Sequence, residues 1–590
     1  MKFDDVLTHH VGQVGRYQWF LYISLTVAAT PTAWFAIAMV FVGGGSGGQN
    51  YECQMPEHLK NASLPKHVLV PMEVDATGEA IFSKCQYYDH SNSNLSALSV
   101  YNTTEMWRNT TLAIGVIANQ TSKRFCQSWE YDTQGRFQST VMEQYKLTCQ
   151  SEWLLPLVQS FFMIGWLCGN FIFGSLADRY GRMTVIPIGF FLETILGIAV
   201  PFVPNYYGAL VLKFLLGGVT GGTYTICFVL CLEFAGKKYR PFVASVFHCG
   251  FNGGLCVIAG IAYALEPINH TTLQIIIGCF PAFFIVLRWL IPESPRWLVS
   301  DGRFQKAKHI VRKIARCNGR PVPRIEDIVF EEEKLFEKLN DLDEKSSNYS
   351  KDERIYTVVD LFRTPNIRRI ALASFVVWFA SAFIYYGFLF ISGGIGGNVY
   401  INTVISGATG VVSAFITVPL LNYFGRRTTA VCVQVMMAIA LFAAIGLVNK
   451  PDYETALVIV VSIGKFCNIL VFDAIYLHSA EMFPTGTRSL GVGMGSLFAR
   501  VGALISPLIG NMTIFWHLLP IVVFSAVAVI STLFALLLPE TVGRPLPETI
   551  EDGEKFAKFD LSGFCPLCDK KTRDGYEVGA TTDVELHHRC

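Results

Sequence analysis

Runs of about twenty apolar residues, the length a helix needs to cross a hydrocarbon core of about 30 Å, recur twelve times along this chain. They lie near 17–42, 154–176, 184–203, 206–232, 242–264, 271–291, 368–391, 399–424, 428–448, 455–480, 489–510 and 514–538. So many runs cannot be packed into one water-soluble core, and the fold class they predict is an all-α membrane protein with twelve transmembrane helices. Composition agrees: 16% of the 590 residues are charged, where a soluble chain carries about 25%. The first run is too long for a signal-peptide core and no small-residue cleavage site follows it, so it is expected to remain as a span. The net charge of +1 and the absence of a GxxxxGK[ST] loop point away from nucleic acid and from nucleotide chemistry. No H-E-x-x-H, G-x-S-x-G or paired catalytic carboxylate set is present, so neither an enzyme nor a cofactor is expected.

Two polar inserts divide the spans. Residues 43–153 carry Cys53, Cys85, Cys126 and Cys149 together with N-x-[ST] sequons at Asn61, Asn94, Asn102, Asn109 and Asn119. Sequons beside an even cysteine count predict a glycosylated, disulfide-bonded extracellular loop. Four cysteines allow three pairings, and spacing does not choose among them. The second insert, 293–367, is dense in charge, and short basic turns carrying Arg179–Arg182, Lys237–Arg240, Arg426–Arg427 and Arg488 fall on its side of the membrane. Basic short loops mark the cytoplasm, so both termini are expected inside. The polar tail after 540 ends with Cys565, Cys568, His587, His588 and Cys590, a spacing too loose to predict a metal site.

The two halves repeat each other. "GSLADRYGR" (174–182) is echoed by "LNYFGRR" (421–427), "EFAGKKYR" (233–240) by "EMFPTGTR" (481–488), and "IPESPRWL" (291–298) by "LPETVGRP" (538–545). A near-constant offset means six spans duplicated in parallel orientation. Parallel repeats of this kind place a substrate site between the halves near the midplane. "GSLADRYGR" resembles the loop 2–3 signature of the major facilitator superfamily, and "ESPRWL", "PETVGRPLPET" and the large first loop resemble its animal organic cation, anion and zwitterion transporter branch. The resemblance covers roughly residues 10–550. It implies a major facilitator fold that opens alternately to the two sides of the plasma membrane. The expected layout is a cytoplasmic N-terminus over 1–16, one six-helix bundle over 17–292, a cytoplasmic loop over 293–367, a second bundle over 368–538 and a cytoplasmic tail over 539–590.

The repeated motifs concentrate charge at one level. Asp178, Arg179, Arg182, Glu233, Arg240 and Glu293 in the first half face Arg426, Glu481, Arg488 and Glu540 in the second. Exposed ion pairs contribute only ~0–1 kcal/mol each, so such charges can join across the halves when an inner gate closes and separate when it opens. Gly-rich stretches at 215–222 and 491–496 are expected to let helices approach closely.

Charge inside the spans is rarer. In "NILVFDAIYLHSAEMF" (468–483), Asp473 stands eight residues before Glu481, roughly 12 Å of helix into its span. An intramembrane carboxylate costs ~2.5–3.5 kcal/mol on the insertion scale and marks a pathway or a pair. Lys465 is two turns away on the same helix. Arg500 is twelve residues past Arg488, roughly 18 Å into the next span and at comparable depth. The pair reads either as a structural salt bridge or as a dipolar site, with Asp473 taking an ammonium and Arg500 a carboxylate in its planar fork. The family resemblance sharpens the choice. Its cation members carry an aspartate where Arg500 stands. Its anion members often add a base in span 8, absent from "TGVVSAFITV" (409–418), and are usually neutral at the place of Asp473. One acid and one base imply a small zwitterion: carnitine, a betaine or β-alanine. The resemblance also implies that Trp378, Tyr385, Tyr386, Phe472, Tyr476, Tyr224 and Phe228 line the site. An aromatic face contributes ~0.5–2 kcal/mol to binding a cation. Gln159 is a further polar group in a span expected to line the site, Lys213, His248 and Asn252 are others, and Glu193 is expected to face a neighbouring helix. The partners expected are a small zwitterion or organic ion, a co-transported Na⁺ or H⁺, and the bilayer. Rival expectations are an organic anion exchanger, with Asp473 serving Arg500, a carrier of organic cations, and a nontransporting scaffold.

Overall fold

The computed structural model describes residues 3–12, 14–43, 51–57, 66–74, 80–89, 122–131, 137–236, 239–331, 333, 357–391, 398–448, 450–484, 486–514, 516, 518–542, 547 and 549–556. The five sequons, Lys237, and the cysteines and histidines of the tail lie outside these residues.

Among the described residues eleven helices are long and apolar enough to cross a membrane, and a twelfth, Leu519–Ala535, is shorter. In chain order they are Arg16–Val42, Cys149–Tyr180, Arg182–Phe202, Tyr206–Glu233, Phe242–Ala264, His270–Leu290, Pro365–Leu389, Val399–Phe424, Arg426–Leu447, Glu454–Met482, Arg488–Thr513 and Leu519–Ala535, hereafter spans 1 to 12. Ten of these match the apolar runs to within a few residues. Span 2 begins in a short 3₁₀ turn, Cys149–Leu154, and so starts five residues earlier than its run. Span 12 is shorter than its run at both ends, because residues 511–514 close span 11 in a 3₁₀ turn of their own. Span 1 is two helices, Arg16–Ala28 and Thr30–Val42, with the break just ahead of Pro31, whose missing N–H interrupts the ladder.

Glycines set the closest helix contacts. At Gly165 and Gly169 of span 2, and at Gly217 of span 4, an added Cβ would collide with the backbone of the opposite helix, so only bare Cα positions allow this approach. Gly221 and Gly222 seat Trp166 and Phe173, and Gly491 and Gly495 seat Phe483 and Trp378. The Gly-rich stretches are therefore packing surfaces, as their composition predicted.

One buried cluster fills the first half and another the second, while a third joins Ala33–Val42 and Leu255–Ala262 to Tyr386, Leu389, Val399, Tyr400 and Ala503. This shared core lies toward the end of the bundle that carries the disulfide loop. There Ser160 of span 2 donates to the carbonyl of Leu504 in span 11 at 3.0 Å, and the Cys256 thiol of span 5 approaches the carbonyl of Val404 in span 8 at 3.5 Å. The halves thus meet along spans 2 and 11 and along spans 5 and 8.

The disulfides are Cys53–Cys126 and Cys85–Cys149, one of the three pairings open in the sequence. They tie short antiparallel ladders, Tyr51–Cys53 with Trp129–Tyr131 and Gln86–Asp89 with Ser122–Phe125. Phe137–Ser139 then pairs in parallel with Ile268–Asn269, fastening the loop to the turn between spans 5 and 6.

At the opposite end, the helix Phe304–Cys317 buries Ala307, Val311 and Ile314 against Val6 and Val11 of the N-terminal segment. Asn318 locks that contact. Its amide donates to the Val11 carbonyl at 3.1 Å and to Gln18 at 2.8 Å, and its oxygen accepts from the Tyr17 N–H at 3.0 Å.

Candidate functional site

The repeated motifs build the same device twice. Gly181 and Gly425 each turn the chain with φ of +95° and +92°, a region that favours glycine, and each turn opens the next span. The exposed N–H groups of those two helices meet an acid. Glu293 accepts from the N–H of Arg182 at 2.9 Å and of Met183 at 3.0 Å. Glu540 accepts from the N–H of Arg426 at 2.9 Å and of Arg427 at 3.0 Å. A carboxylate at a helix N-terminus satisfies orphan donors and complements the helix dipole. The arginine side chains then close on an acid of the adjacent span. Arg182 bonds Glu233 at 3.1–3.2 Å and Asp178 at 3.0 Å. Arg426 forms a two-pronged bond to Glu481, both arms at 3.0 Å. Thr541 donates to the same carboxylate. Arg179 lies over the Tyr180 ring and Arg488 donates to the Phe483 carbonyl. Arg240 opens the helix of span 5. The arrangement expected across the halves thus takes a different form here: these bonds close within each half.

Between the halves the arrangement differs, and the acid and base placed there, Asp473 and Arg500, both come from the second half. Asp473 in span 10 meets His248 of span 5 at 3.5 Å and accepts from Thr417 of span 8 at 3.3 Å. Arg500 in span 11 lies over the Trp166 ring of span 2, 4.6 Å from its centre, and shares a hydrogen bond with Tyr386. Among the described residues no ion pair joins Asp473 to Arg500. The structural salt bridge that the sequence left open is therefore absent in this state, and each charge reaches toward the first half instead.

Aromatic rings occupy the space around them. Phe228 stacks on His248 with ring centres 5.5 Å apart and planes 8° apart, and Tyr476 approaches the same imidazole at 6.1 Å. Tyr224 contacts Trp166, Phe247 and Phe251. Tyr385 sits against Tyr386 and points its hydroxyl at Asn252 at 3.5 Å. Phe472 and Tyr476 pack edge-on to each other and to Trp378.

Two expected lining residues serve packing. Trp378 is wholly buried behind Tyr476, 4.2 Å between ring centres, and its N–H is taken by Ser479 at 2.9 Å. It supports the Tyr476 ring and is not itself presented to a solute. Gln159 is buried with its amide on the Ala36 carbonyl at 2.9 Å, a strap between spans 2 and 1. Glu193 does face a neighbouring helix, hydrogen-bonded to Thr223 of span 4. Lys213 and Lys465 are both buried, and the Lys465 ammonium finds no hydrogen-bond partner among the described residues. Trp166 and Thr417 were not anticipated. The only sequence sign for Trp166 is its place between Gly165 and Gly169, which fix that stretch of span 2 against span 4 and turn the indole toward the seam.

The same fold occurs in known transporters. The family model described as "Sugar (and other) transporter" matches residues 100–552. A Drosophila melanogaster "Organic cation transporter protein" is 31% identical over 95% of both chains. The chain belongs to the organic cation/carnitine transporter family of the major facilitator superfamily. The human "Organic cation/carnitine transporter 2" is 28% identical over 93% of this chain and 94% of that one. Among solved structures, an inward-open form of the xylose transporter XylE from E. coli aligns with a TM-score of 0.55 at 15% identity, over 91% of this chain and 99% of that one, and supports the fold alone.

Proposed function

We propose that this transporter carries small organic zwitterions, of the carnitine, betaine or β-alanine kind, by alternating access between its two bundles. The observation that carries the reading is one half-buried acid and one half-buried base between the bundles that form no ion pair with each other. Desolvated charges left apart are costly, and a solute bearing both an ammonium and a carboxylate compensates both at once. In this reading Asp473 takes the ammonium with Tyr476, Tyr224 and Phe228 around it. Arg500, backed by Trp166 and Tyr386, takes the carboxylate through two parallel N–H bonds. Tyr385 borders the solute, and Phe472 holds Tyr476 in place. The paired clusters at Arg182 and Arg426 serve as gate elements that exchange partners when the halves rock. The disulfide loop lies outside the plasma membrane and both termini inside. Na⁺ or H⁺ accompanies the solute.

The test is radiolabel uptake by cells expressing the chain, with carnitine, β-alanine, a quaternary ammonium and a dicarboxylate side by side. Asp473→Asn and Arg500→Ala run in parallel, normalised to surface protein. Zwitterion uptake that fails in both variants supports the dipolar site. Normal transport by Asp473→Asn, or movement of dicarboxylate alone, rejects it in favour of anion exchange through Arg500. Movement of the quaternary ammonium alone points to a cation carrier.

A further inference from the structure

An ionisable contact crosses the seam between the halves at the point where the proposed site binds its cation. The imidazole Nδ1 of His248, from the first half, stands 3.5 Å from Asp473 Oδ1, from the second. Good charge-assisted bonds run at about 2.7–2.9 Å, so this one is loose enough to be displaced. Neither group is idle otherwise. The His248 ring is clamped flat against Phe228 and flanked by Tyr476, and its carbonyl accepts the Asn252 amide one turn on at 3.2 Å. The second carboxylate oxygen of Asp473 accepts from Thr417. The His248 side chain is 21% exposed and that of Asp473 10%, so solvent reaches the imidazole more readily than the acid.

The titratable and charged groups around the pair come from every packed helix. Tyr224 of span 4, Cys249 of span 5, Tyr385 of span 7 and Tyr476 of span 10 lie within electrostatic reach of Asp473. Arg500 of span 11 reaches Tyr224, Tyr386 and Tyr476. The phenols and the thiol are neutral donors near pH 7, and Arg500 keeps its charge throughout. Imidazole is the side chain that ordinarily changes charge within the neutral range. With a proton on Nδ1, His248 presents Asp473 with a cation from the facing half. Without it, the carboxylate lacks a cationic partner.

We propose that His248 is a proton site that competes with the cationic end of the solute for Asp473. The inference rests on the reading that Asp473 takes an ammonium. When the solute binds, the imidazolium loses its proton to water and the ammonium replaces it as the counter-ion. When the solute leaves, a proton returns and the His248–Asp473 contact re-forms. Proton and cation thus occupy one acid in turn, so acid on the side of uptake raises KM and leaves the maximal rate unchanged.

The experiment is uptake of radiolabelled carnitine into proteoliposomes holding the full chain, with KM measured at external pH 6, 7 and 8. Carnitine keeps its ammonium charge at every pH and its carboxylate ionised over this range, so the probe itself does not titrate. Wild type is expected to show a KM that is higher at pH 6 than at pH 8, with the maximal rate unchanged. His248→Gln is expected to transport with a KM that stays flat. A flat wild-type profile, or a variant that keeps the wild-type slope, overturns the proposal. Should the variant fail to transport, thermal stabilisation of the detergent-purified protein by carnitine at pH 6 and pH 8 reads binding alone. Equal apparent affinity at the two values then supports the proposal. A wild-type slope, or no binding at either pH, overturns it, the latter by making His248 a direct solute ligand. Normal uptake by Asp473→Asn would sink the underlying site reading, whereas normal wild-type uptake with an unaltered pH slope in His248→Gln sinks only this inference. If wild type moves neither carnitine nor β-alanine, both fall together.

Discussion

The two halves of this transporter are near copies at one end and unlike at the centre. At the end near the termini, Gly181, Arg182, Glu233 and Glu293 repeat as Gly425, Arg426, Glu481 and Glu540, down to the sign of the glycine φ and the N–H groups each acid accepts. At the midplane the second half supplies Asp473 and Arg500, while the first answers with Trp166, Tyr224, Phe228 and an imidazole. The lesson is physical. The charges at the ends hold helices in place within a half, a task that both copies must perform. In the proposed reading the charges at the centre face a solute that is itself asymmetric, and one half is enough to hold them.

This contrast can be broken most severely at its unlike end. Arg500→Ala should raise the zwitterion KM about 30-fold or more, since deleting one partner of a desolvated charge pair costs ~2–5 kcal/mol. Phe228→Leu, on the half that gives the site no carboxylate or guanidinium, should cost only ~0.5–2 kcal/mol of cation binding. Equal losses in the two uptake assays would erase the distinction. The like ends sharpen the comparison. Glu233→Gln and Glu481→Gln should each slow exchange and lower thermal stability by ~1–3 kcal/mol, the value of a hydrogen bond to a charged group. The second should be the larger, because Arg426 holds Glu481 with both arms. Glu293→Gln and Glu540→Gln should follow at ~0.5–2 kcal/mol apiece, the range for a helix cap, seen as matched falls in Tm of the purified protein.

The smallest effect belongs to Glu554, beyond the last span, which accepts from the N–H groups of Asn366 and Ile367 where span 7 begins. Slight burial pushes its carboxyl up, but bonds from Thr364, Asn366 and Ile367 outweigh that and hold it below the usual carboxylate range. Its folded-state value being the lower one, its contribution is present above the unfolded-state value and disappears as pH falls through the folded-state one. Glu554→Gln should cost under about 1 kcal/mol at neutral pH and nothing in strong acid, as melting curves at the two extremes would show.

The spans were legible because crossing a bilayer imposes a length and a composition that any window of residues reveals. The duplication was legible because motif and spacing repeat together. The disulfide pairing was not, since three pairings satisfy the same four cysteines and only the ladder Tyr51–Cys53 with Trp129–Tyr131 draws Cys53 to Cys126. At the site, counting residues along each helix gives the depth of Asp473 and Arg500 but not the direction in which either points. Depth alone left open whether they pair. The direction instead gives Asp473 to His248 and Arg500 to Trp166, partners from another half of the chain. Trp378 shows the same limit: it shares a depth with Tyr476 but lies behind it.

That both fixed charges belong to one bundle has a mechanical sequel. If Asp473 and Arg500 grip the solute as proposed, it is a passenger of the second bundle and keeps its orientation relative to that bundle throughout the stroke. The first bundle then acts as a shutter sliding across it, screening the cargo from one compartment before uncovering it to the other. Selectivity and motion are in this way divided between the copies: one carries the passenger, the other opens the doors.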